Sequence, residues 1–432
     1  MPSTSGEVYD SGQTLTPAPI TNSPPCRRKK TDMDRSAIPG PLANLRVVEM
    51  GTLIAGPYCA RLLAEFGAEV VKIETPGEGD PLRKWRQLHE GNSLWWYAQA
   101  RNKKSVAVNL KAPEGQQVVR ELAAKADIVV ENFRPGTMEK WGLGYEALAG
   151  ANPGLVMVRL SGFGQTGPYK DRPGFGAIGE SMGGMRYITG YPDRAPVRVG
   201  ISIGDSLAAM FGVIGALSAI NHRTTSGKGQ VVDVALYEAV FAMMESMLPE
   251  YGMGGHVRER TGSALPGIVP SNTYLCGDGK YVVIGANADS IFRRMMRAIG
   301  RADLADDPSL ADNAGRVRRT QELDRAIGEW TATVTLDRAL DVLEKAEVPS
   351  GRIYSIADIA ADLHYQARGM IERHKLGDKE LLLPGIVPRL SDTPGTTRWI
   401  GPRLGEHTDE VLRSLGRSDE AIASLRAKGI VS

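Results

Sequence analysis

Asp205 ends the stretch Val199-Gly-Ile-Ser-Ile-Gly-Asp205 and opens an apolar run that reads as a helix from Asp205 to His222. A carboxylate there has an ordinary use. Asp is a favoured N-cap, accepting from the orphan N–H groups of the first turn and gaining from the macrodipole. The same group, aimed at an acyl carbonyl, is a nucleophile, but taken alone the residues favour the cap. Just upstream stand Arg172, Arg186, Arg194 and Arg198, with Tyr187 among them. A bidentate guanidinium suits the distal carboxylate of a diacid, and a solvent-facing arginine is an equal reading for each alone. Gly252, Gly254 and Gly255 read as a flexible loop, which is either a mobile cover or an interdomain turn. Lys111 and Lys140 singly read as solvated charges. Cys59 has no His partner nearby in the sequence and reads as core, as does the stripe Phe241, Met243, Met244 and Met247. Asp80 and Arg83 read as a structural ion pair. Cys26, Cys59 and Cys276 are odd in number and in no CxxC pair, so neither a disulfide framework nor a zinc or other metal site is expected. A reducing, cytoplasmic setting follows.

The elements that must position these residues begin at Leu45–Met50, an apolar strand pattern, followed by the loop 51–57 and a helical stretch over 58–66. Further β-rich runs occupy 68–74, 105–108, 127–130 and 154–160, separated by helical stretches such as 113–124. Strands alternating with helices imply βαβ units and a parallel sheet covered on both faces, a Rossmann-like α/β domain. Such sheets bind ligands at the carboxyl ends of their strands, where the loops 51–57 and 132–136 belong. A strand at 229–236 and a helix at 239–248 follow. Then come a strand at 281–285 and helices at 290–299 and 336–346, enough for a smaller α+β domain. The expected divisions are a disordered tail over 1–37, a large domain over 38–245, a small domain with linkers over 246–348, and a segment over 349–432 that returns to the large domain.

Composition fits this picture. The 432 residues carry 52 Lys plus Arg against 50 Asp plus Glu, 42% hydrophobic and 24% charged. Near-neutrality gives no field favouring nucleic acid or an anionic membrane. The most apolar run, Leu207–Ile220, falls short of the about 18 residues a span needs and reads as a buried helix, so no membrane partner is expected.

One set of motifs carries more than composition does. Ala55-Gly-Pro57, Gly67-Ala-Glu-Val-Val-Lys-Ile-Glu74, Gly79-Asp80, Asn102-Lys-Lys-Ser105 and Asn109-Leu-Lys111 are followed by Glu131-Asn-Phe-Arg-Pro-Gly136 and Gly162-Phe-Gly-Gln-Thr-Gly-Pro168. Gly204-Asp205, Gly227-Lys-Gly-Gln230 and Leu404-Gly-Glu-His-Thr408 complete the series. In this order they resemble the family III CoA-transferases (the CaiB/BaiF group that includes formyl-CoA transferase and carnitine CoA-transferase), over roughly residues 40–432. The resemblance implies an interlocked homodimer of two-domain subunits, with Asp205 as the nucleophile and no permanently bound cofactor. Coenzyme A thioester and a free carboxylic acid would be the substrates. The positions matching the CoA cleft are Thr52, Leu53, Ile54 and Ala55, then Lys111, then Asn132, Phe133, Arg134 and Lys140. The helix N-terminus would keep Asp205 ionised and supply N–H groups to an oxyanion. Family members also carry a Gly-rich loop near Gly252–Gly255. His407 is a family mark, here read as pinning the C-terminal segment.

Two rival functions arise from the same motifs. An α-methylacyl-CoA racemase needs a second acid/base group beside the carboxylate, yet Gly174-Phe175-Gly176 stands where that branch has its His. A non-catalytic CoA-binding protein would have no use for Asp205. Thr52 and Ile54 replace the polar residues of a formate site, and Glu180 departs from the common family pattern. With Arg186, Arg194 and Arg198 offering cations, the expected donor is succinyl-CoA or a similar dicarboxyl-CoA, and the acceptor a short dicarboxylate.

Overall fold

The computed structural model describes residues 39–432, so the expected tail at 1–37 lies outside the described residues. Six strands form one parallel sheet: β1 (Arg46–Glu49), β2 (Glu69–Glu74), β3 (Lys103–Ala107), β4 (Ile128–Glu131), β5 (Val156–Ser161) and β6 (Val231–Ala235). Their order is β3-β2-β1-β4-β5-β6, every neighbouring pair parallel. The order reverses between β1 and β4, and that switch opens a crevice beyond the carboxyl ends of these two strands. Val47, Val48, Val70, Val129, Val130 and Val158 are buried, as β-branched residues in a sheet covered on both faces should be.

The covering helices include α1 (Ala55–Glu65), α2 (Pro113–Ala123), α3 (Gly176–Met182), α4 (Ile203–Ser226), α5 (Leu236–Phe241) and α6 (Met247–Gly254). One core cluster joins α1, α4 and α5 to one face of the sheet, and a second joins α2 and the C-terminal helices Thr408–Ser414 and Asp419–Ala427 to the other. A third core, from Val269 to Val348, is built around the antiparallel strands Ser271–Leu275, Tyr281–Gly285 and Ser350–Arg352 and the helices beside them. Residues 39–432 make one compact unit. The C-terminal segment is stitched to β3. The N–H of Ser105 donates to His407 Nδ1 at 3.3 Å, that of Ala107 donates to Thr408 Oγ1 at 3.1 Å, and Val431 bridges Val108.

Four local expectations are corrected. First, α4 begins at Ile203 after Ser202 and runs to Ser226, so Asp205 lies inside its first turn and is not the cap. Second, α4 is long and apolar enough by length and composition to span a membrane, unlike the shorter run expected. Its small residues Ala208, Ala209, Gly212, Ala216 and Ala219 are buried, and Gly212 lies against Cys59, Val158 and Leu160. Its other face, with Met210, Ile214 and Leu217, is exposed. Third, Gly252 and Gly254 belong to α6, and Gly255, at φ +66°, ends that helix, so the loop expected there is absent. Fourth, the helical period breaks after Phe241. Met244 is buried while Phe241 and Met243 are exposed, so the stripe is only partly core.

Within the sheet, charges occupy positions that the apolar pattern would fill. Glu49, Lys72 and Lys103 are fully buried on adjacent strands, with Lys72 Nζ and Lys103 Nζ each 2.7 Å from one oxygen of Glu49. Lys72 also reaches Asp80 at 2.9 Å. Burial by itself would push the Lys72 ammonium down, but Asp80, Glu49 and Glu74 outweigh it and raise its pKa. Lys103 has less compensation, and burial pushes it down to about 8. Removing one partner from such a cluster strands the others as buried charges, at a cost of about 3–5 kcal/mol. Lys72→Met should lower stability by about that much, read as a shifted urea midpoint. An unchanged midpoint would show that Glu49 and Asp80 are satisfied without it.

Candidate active site

The loop after β1 sits at the switch point. Leu53 has φ +63°, a left-handed conformation unfavourable for a branched side chain, so something must hold it. Asp80 does, accepting the Leu53 N–H at 3.0 Å. Burial would raise the Asp80 carboxyl, yet Lys72 and the N–H groups of Leu82 and Leu53 bring it below the ordinary range, so it stays an acceptor. The expected Asp80–Arg83 pair is therefore not formed. Asp80 serves the loop, and Arg83 instead binds Glu74 through two hydrogen bonds of 2.7 and 2.8 Å. Below the loop, Lys72 donates to Gly51 O at 2.9 Å and Gln99 to Ile54 O at 3.1 Å.

The loop after β4 is tied to it. Asn132 Oδ1 accepts the Thr52 N–H at 2.8 Å, and Asn132 Nδ2 donates to Thr52 O at 2.9 Å. Glu131 accepts the Phe133 N–H at 2.7 Å and is gripped by Arg159, also at 2.7 Å. Phe133 meets Trp141 edge to face, with centroids 5.1 Å apart.

These loops wall a cavity of about 650 Å³ whose far side is made by α3 and the start of α4. Thr52, Leu53, Ile54, Ala55, Asn132, Phe133 and Arg134 line it, and so does Asp205. Lys111 instead lines a neighbouring cavity of about 390 Å³ that shares Thr52 and Phe133 as walls. Lys140, at the exposed end of the short helix Thr137–Lys140, lines neither, so the two lysines do not form one cation pair. Of the four upstream arginines, Arg172 and Arg198 line the Asp205 cavity. Arg186 turns to Glu180, 3.6 Å away, and Arg194 lies over the Tyr191 ring.

Asp205 is pressed closely by its surroundings. A Cβ on Gly176 would come within 2.0 Å of Asp205 Oδ2, so any larger residue there would displace the Asp205 carboxylate. Burial, and then the charge of Glu180, push the Asp205 carboxyl up to about 6, against its own backbone N–H and Arg198. The helix N-terminus expected to help keep Asp205 ionised is thus outweighed in the shift itself, because one turn of dipole does not offset desolvation beside a second carboxylate. At pH 7 the ionised form still leads by about ten to one. The arrangement is a partly desolvated carboxylate in a concave site rimmed by Arg86, Arg134, Lys170, Arg172 and Arg198, suited to a nucleophile meeting an anionic substrate. Reading the residues alone missed Gly176, the nearness of Glu180 to Asp205, and the support from Asp80. The only signal for the last was charge inside apolar strand patterns.

Comparison with known proteins agrees with this geometry. Residues 42–408 match the family described as CoA-transferase family III. Succinyl-CoA--D-citramalate CoA-transferase of Chloroflexus aurantiacus is 52% identical, over 91% of this chain and 98% of its own length. Succinate--glutarate CoA-transferase of Agrobacterium fabrum is 35% identical, over 87% of this chain and 96% of its own. The crystal structure of a CaiB/BaiF family protein from Brucella suis superimposes with a TM-score of 0.78 at 34% identity, over 88% of this chain and all of that one. An α/β sheet of Rossmann order, a carboxylate at its switch point and a family match over most of the chain converge: the protein belongs to CoA-transferase family III and is a CoA-transferase.

Proposed function

We propose that the enzyme moves CoA from succinyl-CoA to a five-carbon dicarboxylic acid through an aspartyl-CoA thioester on Asp205. The observation that carries this reading is that Asp205 shares one cavity with Arg172 and Arg198. The names of the two relatives support it, since D-citramalate and glutarate are both five-carbon dicarboxylates. In the first step an Asp205 oxygen attacks the thioester carbonyl of the donor, forming a mixed anhydride and releasing CoA thiolate. The thiolate attacks the aspartyl carbonyl, the C–O bond to succinate breaks, and aspartyl-CoA remains. The acceptor carboxylate then attacks that thioester, giving a second anhydride and again CoA thiolate. Attack of the thiolate on the acceptor's acyl carbon yields the new acyl-CoA and returns Asp205 as a carboxylate. No proton is gained or lost overall, which suits a site that holds a carboxylate nucleophile without an adjoining His base.

Gly176 fits this scheme by leaving the face of Asp205 Oδ2 free of side chain. The cavity takes the reacting end of the thioester. The neighbouring space, lined by Lys111, would suit the more distal, phosphate-bearing part of CoA. We further propose a homodimer. The exposed apolar residues of α4 and α6, among them Ile214, Leu248, Tyr251 and a 93% exposed Met253, form a surface that a second copy would cover.

Four outcomes are expected. Asp205→Asn should bring transfer below about one-thousandth of the wild-type rate while CoA still binds in calorimetry; turnover near wild type would end the covalent scheme. The test of substrate class is a panel of succinyl-CoA and acetyl-CoA donors against mono- and dicarboxylic acceptors, with products resolved by mass, where the five-carbon diacids should lead. Because only the ionised carboxylate attacks, kcat/KM should lose about tenfold per pH unit below about pH 6, following the pKa of Asp205; a profile flat to pH 5 would show another group is limiting. Light scattering at assay concentration should give twice the 46.5 kDa chain mass, and an active monomer would remove the dimer.

A further inference from the structure

Glu180 has no part in the covalent scheme, yet it is fully buried on α3, the helix whose first residue abuts Asp205. Burying a carboxylate is costly unless it is closely paired and hydrogen-bonded. Its two partners are both held at a distance. Arg198 Nη2 is 3.5 Å from Oε1, and Arg186 Nε is 3.6 Å from Oε2. Glu180 Oε2 and Arg186 Nε are buried with no hydrogen bond among the described residues. Charge-assisted pairs normally close to about 2.7–2.9 Å. Elsewhere in this protein a buried pair of purely structural use, Arg83 with Glu74, does so through two hydrogen bonds of 2.7 and 2.8 Å. The Glu180 cluster is thus under-satisfied where the buried Arg83–Glu74 pair is not.

Arg198 links this cluster to the substrate. It is about half exposed, it lines the Asp205 cavity, and among the described residues it reaches, besides Glu180, only Ile201 O, at 3.4 Å. A guanidinium has five N–H donors in a rigid fork, so Arg198 keeps free the donors that a carboxylate in the cavity would use. Without an anion behind it, this half-exposed side chain would have many rotamers to choose from.

We infer that Glu180 is a positioning residue for acceptor choice, holding the Arg198 guanidinium at the mouth of the Asp205 cavity so that its free donors meet the distal carboxylate of a diacid. This rests on the dicarboxylate reading proposed above. Glu180 also imposes its charge on the nucleophile. The charged groups facing Asp205 are Glu180 from α3 and Arg198 from the segment before α4, with Arg86, Arg134, Lys170 and Arg172 around the cavity. Removing the Glu180 charge leaves the cations in excess, which favours ionised Asp205. A side chain that merely fills space would affect neither acceptor choice nor this titration.

The test is Glu180→Gln, which keeps the volume and removes the charge, assayed with succinyl-CoA and either glutarate or pentanoate as acceptor. The glutarate-to-pentanoate ratio of kcat/KM should fall about tenfold, mainly through the KM for glutarate. The KM for succinyl-CoA, whose own distal carboxylate would meet the same guanidinium, should rise as well, and the acid limb of the pH profile should move to lower pH. Wild-type selectivity with an unmoved limb would overturn the role of Glu180. If the Gln variant does not fold, Glu180→Asp keeps the charge but withdraws it from Arg198. It should lose selectivity for glutarate, and retention of wild-type selectivity would overturn the proposal equally. A wild-type enzyme with no preference for glutarate would overturn the dicarboxylate reading itself, a failure read on the unmodified protein and therefore distinct from failure of the variants.

Discussion

Glu49 answers two lysines with one carboxylate, and the floor of the site depends on that balance. Lys72, held by Glu49, reaches both Asp80 and the Gly51 carbonyl; Asp80 in turn holds Leu53 in a backbone conformation it would otherwise leave. Parallel strands bring these residues side by side because the β1–β2 and β2–β3 registers place Glu49 opposite Lys72, and Lys72 opposite Ser105. The charges are costly to bury, yet the fold keeps Glu49 at the carboxyl end of β1, where the first loop turns, with Lys72 and Lys103 reaching it from the neighbouring strands. That cost is offset only while every member is present, which makes the loop's shape as stiff as the sheet beneath it.

Asp205 stands under a different balance. Desolvation and Glu180 raise its proton affinity, while Arg198 and its own N–H lower it. A fully solvated carboxylate would be ionised but poorly reactive in water, and a deeply buried one would be protonated at neutral pH. Asp205 lies between these limits, and the absence of a side chain on Gly176 keeps it reachable.

Much of this was legible from residue order. Alternating β-branched runs and helical stretches identified the six-stranded sheet and both loops at its switch point, because burial on two faces leaves a plain apolar signature. The strand at Tyr281–Gly285 was read to its exact ends. Less legible were features that depend on through-space charge. Asp80 and Arg83 lie three apart and look like a pair, yet each has a better partner on a neighbouring strand or loop. Arg186 and Arg194 could not be told from Arg172 and Arg198, since their through-space partners, Glu180 and the Tyr191 ring, leave no trace in the spacing. The glycines of α6 misled for a related reason: their low helix propensity was overridden by a helix that presents apolar side chains outward.

The stitching of the C-terminal segment onto β3 bears on how the chain comes together in time. Arg83 donates to Pro402 O across 319 positions of sequence, and Ser105 Oγ accepts the Gly405 N–H across 300. Loop closure over such distances is entropically expensive and must precede the contacts that reward it. During synthesis, β1 to β5 emerge long before the residues that finish the second core, leaving Val-rich edges without their cover. The order of translation and the order of assembly therefore run against each other, and the sheet that carries the chemistry is the part of the nascent chain most in need of protection from association.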